Sequence, residues 1–165
     1  MRIFAVLLLL LLFAIIFQTD ATNNILVVGD SMGSYMGKTL ENICPGAAIQ
    51  NAAIGGTTAL QWANDFNAEA LDSCSNPSTY NHVYMSFGGN DLLESCSISA
   101  SALEGRIKNA ITNVKDTIAP GATSYVLAGY CQVRENDECV GQGPGAFTSL
   151  STALTNLASF VCFSR

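Results

Sequence analysis

The sequence predicts an α/β domain on a parallel sheet covered by helices on both faces. Three observations carry that reading. Short β-branched runs are each stopped by glycine, segments of helical period alternate with them, and 49% of the 165 residues are hydrophobic, enough for one core. Strands that alternate with helices imply right-handed crossovers and parallel pairing. One domain is expected, with no repeat, low-complexity stretch or linker to divide it.

Ile25 to Val28 reads as a buried first strand that ends at Gly29. Gly33 and Gly37 lie among turn-favouring residues, so the next helix is expected only over Lys38 to Ile43. Ala47 to Ile54 is a second extended candidate, closed by Gly55-Gly56. Thr57 to Leu71 reads as helix, with Ala59, Trp62, Ala63, Phe66 and Ala70 near helical spacing. Val83 to Phe87 is the third strand, closed by Gly88-Gly89. Ser99 to Ile118 gives the clearest helix: Leu103, Ile107, Ala110, Ile111, Val114 and Ile118 recur at three and four, Ser99 or Ser101 can cap it, and Pro120-Gly121 ends it. Ser124 to Ala128 is a fourth strand, Phe147 to Leu157 a last helix, and Phe160 to Phe163 the start of a fifth strand.

The chain opens with Met1-Arg2-Ile3, an unbroken apolar run from Ala5 to Phe17, and then Gln18-Thr19-Asp20-Ala21. A bilayer-spanning helix needs about 20 apolar residues, so this shorter run is expected to be a secretory signal peptide over residues 1–21, with the domain over residues 22–165. An uncleaved N-terminal anchor is the alternative. Six cysteines (Cys44, Cys74, Cys96, Cys131, Cys139, Cys162) follow the leader, an even number that predicts up to three disulfides in an oxidising compartment. A bridge from Cys131 to Cys139, closing a polar loop, is the favoured single pair. No C-x-x-C spacing exists and His82 is the only histidine, so no zinc site and no cofactor are expected. With net charge −6 and seven Lys and Arg in all, the chain is a poor partner for a phosphate backbone, and nucleic acid is not expected to bind. Oligomeric state leaves no mark in the sequence.

In open parallel sheets ligands bind outside the carboxyl ends of the strands, so the strand-to-helix turns are where chemistry is expected. Three of them are unusual: Gly29-Asp30-Ser31-Met32-Gly33, Asn51 to Thr57, and Gly88-Gly89-Asn90-Asp91. Parallel strands bring all three to one edge. With a GDS after the first strand and a GGND after the third, the chain resembles the SGNH (GDSL-like) hydrolase family of esterases and lipases from about residue 24 onward. The resemblance implies a three-layer α/β/α sandwich of flavodoxin-like type and hydrolysis of acyl esters, on a small-molecule or glycan substrate. It implies Ser31 as nucleophile, with an oxyanion hole from the N–H groups of Ser31 and Gly56 and the side-chain amide of Asn90. Gly55 is the alternative to Gly56. Those residue types suit the task, because a tetrahedral intermediate needs neutral donors fixed where negative charge develops.

A serine nucleophile also needs a base oriented by a carboxylate. The family draws both from an Asp-x-x-His segment after its final strand, and no such segment occurs in residues 1–165. His82, at the start of the third strand, is expected at the far rim. Asp30 and Asp91 are expected to bond backbone amides or cap a helix rather than act as bases. Met32, Tyr35 and Met36 can line an acyl pocket or simply pack. The expectation is a secreted serine esterase that lacks its C-terminal acid and base, and so is a poor catalyst as a 165-residue chain. The alternative is a non-catalytic ester- or carbohydrate-binding module on the same fold.

Overall fold

The computed structural model describes residues 23–64, 79–129 and 150–157. Four strands form one all-parallel sheet: β1 (Asn24–Gly29), β2 (Ala48–Asn51), β3 (His82–Ser86) and β4 (Ser124–Leu127), in the order β2-β1-β3-β4. The helices are α1 (Ser31–Ile43), α2 (Ala59–Asn64), α3 (Gly89–Glu94), α4 (Ala100–Asn113) and α5 (residues 150–157). The expected extensions of α2 to Leu71 and of α5 back to Phe147, and the fifth strand from Phe160, lie outside the described residues.

Leu26, Val27 and Val28 are fully buried in succession, as an interior parallel strand covered on both faces requires. From β1 the chain steps one way to β2 and then the other way to β3. Right-handed crossovers therefore place α1 on one face and α2 and α4 on the other. Accordingly α1 packs on β1 and β2, and α2 packs on α4.

The clearest periodicity became the principal core surface. Leu103, Ile107, Ala110, Ile111, Val114 and Ile118 are all inaccessible to solvent. Ser99 caps α4 by accepting from the Ala102 amide at 3.2 Å. The last turn, Val114–Ile118, widens to a π-helix closed by Ala119 N–H to Val114 O at 2.8 Å. Pro120 cannot continue it, and Ala122 N–H returns to Ala119 O at 3.1 Å to make the turn into β4.

Two expectations are corrected. The helix expected from Lys38 begins at Ser31, with Gly33 and Gly37 buried inside it. Each glycine costs about 1 kcal/mol of helix propensity, but here each admits a neighbour that a side chain would exclude. A Cβ on Gly33 would sit 3.0 Å from the Ala53 Cβ and 3.1 Å from Val28 O, and one on Gly37 would collide with the Asn51 side chain. Asn51 uses that space to donate to Ser34 O at 2.9 Å. The second correction is α3, six residues long, where the sequence suggested only a turn; Gly88 tucks beneath Ile107 and Leu150 at its start.

Among the described residues no helix is long and apolar enough to cross a membrane. Cys44 carries a free thiol and Cys96 is disulfide-bonded. With Cys44 free, three bridges among six cysteines are no longer available; Cys131 and Cys139 lie outside the described residues.

On β3 the half-buried Tyr84 phenol is pushed above its ordinary 10.0, by burial first and then by the Asp30 carboxylate. Burial and Asp116 act the same way on Tyr125. A folded-state pKa raised above the unfolded value leaves its contribution intact below pH 10.0 and removes it as pH rises through the folded value. Thermal unfolding followed between pH 8 and about 11.5 is thus expected to show stability falling on the alkaline side. Tyr84→Phe should make that fall shallower.

Candidate functional site

The order β2-β1-β3-β4 reverses direction between β1 and β3, and the crevice at such a reversal is where open α/β sheets bind ligands. Ser31 follows β1 and Asn90 follows β3, so the geometry sets them on the two sides of that crevice.

The first turn is held by Gly29 and Asp30. Gly29 has φ +121°, a conformation that L side chains rarely adopt, and a Cβ there would run into the Ser86 carbonyl of the neighbouring strand. The buried Asp30 is the N-cap of α1: its Oδ1 accepts from the Met32 amide at 3.0 Å and from the Ser86 hydroxyl at 2.9 Å. Ser31 thereby becomes the first residue of α1, partly exposed, with its N–H among the helix's unused amino-terminal donors. Among the described residues, neither its hydroxyl nor its N–H has a hydrogen-bond partner.

The second turn is sewn to the first through one carbonyl. Gly29 O accepts from the Ile54 amide at 2.8 Å, and the one Thr57 hydroxyl hydrogen is shared between Ile54 O at 2.8 Å and Gly29 O at 3.2 Å. Thr57 Oγ1 in turn accepts from Trp62 Nε1 at 2.8 Å, and Trp62 is fully buried against Phe87 with ring centroids 5.8 Å apart. Gly55 lies alongside the nucleophile position, a Cβ on it falling 3.8 Å from Ser31 Cβ. Gly56 is exposed, has φ +83° and open space where a Cβ would be, so its backbone can be approached closely. Its N–H has no hydrogen-bond partner among the described residues.

The third turn is locked onto the second at two points. Asn90 Nδ2 donates to Thr57 O at 2.8 Å, and the fully buried Asp91 accepts from the Ala59 amide at 2.6 Å. Asp91 also pairs with Arg106 of α4 at 3.2 Å. One hydrogen of the Asn90 amide is thus committed to Thr57, which fixes the amide plane and leaves the other N–H for a ligand.

Asp30 and Asp91 hold backbone amides, as expected for turn aspartates, although Asp91 caps a helix 32 residues earlier in the chain rather than its own. The register pairs His82 with Ile25, four residues before Gly29. At roughly 3.3 Å per residue that leaves it about 13 Å short of the end of β1, well beyond hydrogen-bond reach of Ser31. Met32 and Tyr35 are exposed, at 47% and 68%, while Met36 is half-buried. Among the described residues no cluster of three His, Cys, Asp or Glu could hold a metal.

Sequence reasoning missed the roles of Thr57, Thr58 and Gln61. Thr58-Ala59-Leu60-Gln61 is a capping box: Thr58 N–H donates to Gln61 Oε1 at 2.8 Å and Gln61 N–H to Thr58 Oγ1 at 3.3 Å. Its T-x-x-Q pattern was there to be read. The Thr57 contacts depend on tertiary geometry and had no local signal.

No family model and no curated protein matches the sequence. Solved structures do. AlinE4, an SGNH-hydrolase family esterase, matches with a TM-score of 0.60 at 20% identity, over 86% of this chain and 73% of its own. The psychrotrophic esterase EstA from Pseudoalteromonas sp. gives 0.59 at 16% identity, over 85% and 74%. Axe2, an acetylxylan esterase from Geobacillus stearothermophilus, gives 0.50 at 15% identity, over 83% and 72%. Such likenesses at low identity define the fold: the chain has an SGNH (GDSL-like) hydrolase fold, an α/β sandwich on a parallel sheet.

Proposed function

We propose that this chain carries the nucleophile and oxyanion-stabilising parts of a secreted serine ester hydrolase. Residues 1–21 act as the signal peptide. The substrate is an acyl ester of a small molecule or a glycan, as the esterases and the acetylxylan esterase of like fold suggest. The observation that carries the reading is that the turn between them ties the Ser31 and Asn90 turns together across the β1/β3 crevice: the Ile54 amide donates to Gly29 O at 2.8 Å, and Asn90 Nδ2 donates to Thr57 O at 2.8 Å.

In the proposed reaction the Ser31 hydroxyl oxygen attacks the acyl carbon and a base takes its proton. The carbonyl oxygen becomes an oxyanion facing the N–H groups of Ser31 and Gly56 and the Asn90 amide. Collapse returns the proton to the departing alcohol and leaves an ester on Ser31, which water then cleaves to the acid and free serine. His82, the one histidine of this sequence, is out of reach of Ser31, so it supplies no such base. Without a base turnover drops to what an oxyanion hole and binding alone sustain, about 10³- to 10⁴-fold over water.

Added imidazole tests the reading by standing in for the missing base. With p-nitrophenyl acetate, the protein is expected to show an imidazole-dependent phase above the rate of imidazole alone, and Ser31→Ala should remove that phase. An equal phase in Ser31→Ala would show that Ser31 is not the nucleophile. The distance of the sole histidine favours a second reading, a binding module without turnover. It expects saturable ester or carbohydrate binding with no acyl-serine by mass spectrometry, even with imidazole present.

A further inference from the structure

We infer that Asp91 is a positioning residue for the oxyanion hole, acting through the amino terminus of α2. The inference rests on the hydrolase reading above and goes beyond it, because Asp91 touches neither nucleophile nor substrate. Asn90 and Asp91 are consecutive in the first turn of α3, and the backbone groups they hold, Thr57 O and Ala59 N–H, lie two residues apart on the facing loop. Two bonds so spaced prevent the loop from pivoting about either one. Gly56, immediately before Thr57, has no backbone hydrogen bond of its own among the described residues and takes its orientation from that clamp.

The partners are built for stiffness. Asp91 is fully buried, its second oxygen is held by Arg106, and its 2.6 Å bond to Ala59 is a charge-assisted contact at a helix start, where negative charge is favoured. On the far side of the loop the Trp62–Thr57–Gly29 bonds fix the same segment to β1. Asp91 thereby sets the separation between the free Asn90 N–H and the Gly56 N–H, and a misplacement of about 1 Å between such groups costs up to about 10²-fold in rate.

The test measures covalent labelling of Ser31 by an alkyl fluorophosphonate in the presence of imidazole, resolving the maximal inactivation rate from the half-saturating concentration. Asp91→Asn removes the charge. Ala59→Pro removes the donated N–H and puts the ring Cδ where that hydrogen pointed at Asp91, so it displaces the carboxylate from the loop. Both variants are expected to lower the maximal rate about 10- to 10²-fold while half-saturation moves less than about twofold. Ile118→Val, at the opposite edge of the sheet, provides a stability control and should leave both parameters unchanged. Maximal rates in both variants equal to the parent's overturn the inference alone. A parent protein that is never labelled at Ser31 overturns the hydrolase reading and this inference with it. Rate losses that follow thermal stability across all three variants, Ile118→Val included, assign Asp91 a structural role only and overturn the inference.

Discussion

Asn90→Ala is expected to lower ester hydrolysis by about 10²- to 10³-fold, the cost of removing one oxyanion donor, about 2.7–4 kcal/mol. The loss belongs in the maximal rate rather than in half-saturation, because the ground-state carbonyl carries little of the charge that the amide serves. Folding should suffer less. The substitution gives up the bond to Thr57 O, worth about 1 kcal/mol, while Asp91 continues to hold α3 to Ala59. Denaturant unfolding beside steady-state hydrolysis separates the two effects. The imidazole-dependent phase is the appropriate activity, since residues 1–165 contain no histidine near Ser31.

Gly29→Ala should be the most damaging single methyl in the described structure. The residue has φ +121°, and its Cβ would be driven into backbone of β3 rather than into a movable side chain. Relief requires β1 to separate from β3 where Gly29 pairs with Ser86 and where Asp30 N–H donates to Ser86 O at 3.1 Å. Strain of this kind costs on the order of 3 kcal/mol or more, a large share of a domain's stability. The denaturation midpoint should fall with little change in slope. The carbonyl of Gly29 itself accepts from Ile54 and Thr57, so activity should be lost even where folding survives.

The strands and α4 were legible because their signals are local and mutually consistent: glycine-terminated β-branched runs, and six apolar positions at helical spacing that all became core. The start of α1 was not, because Gly33 and Gly37 read as turn residues by propensity, and only the closeness of Ala53 and Asn51 explains them inside a helix. Six-residue α3 is too short to show periodicity. At the site, Ser31, Gly56 and Asn90 were nominated by motif, and the strand order explains why their turns share one edge. Thr57 and Asp91 are another matter. The first is a hydroxyl shared by a tryptophan and two carbonyls, the second a carboxylate that caps a helix 32 residues away. Both roles exist only once β1 and β3 are adjacent.

The most direct test of the account is a crystal structure of the protein after reaction with a fluorophosphonate in imidazole buffer. The account predicts phosphorus bonded to Ser31 Oγ. It predicts a phosphoryl oxygen about 2.7–3.1 Å from Ser31 N, Gly56 N and Asn90 Nδ2. Phosphorus on a different residue, or on Ser31 with that oxygen turned away from Gly56 and Asn90, would contradict it.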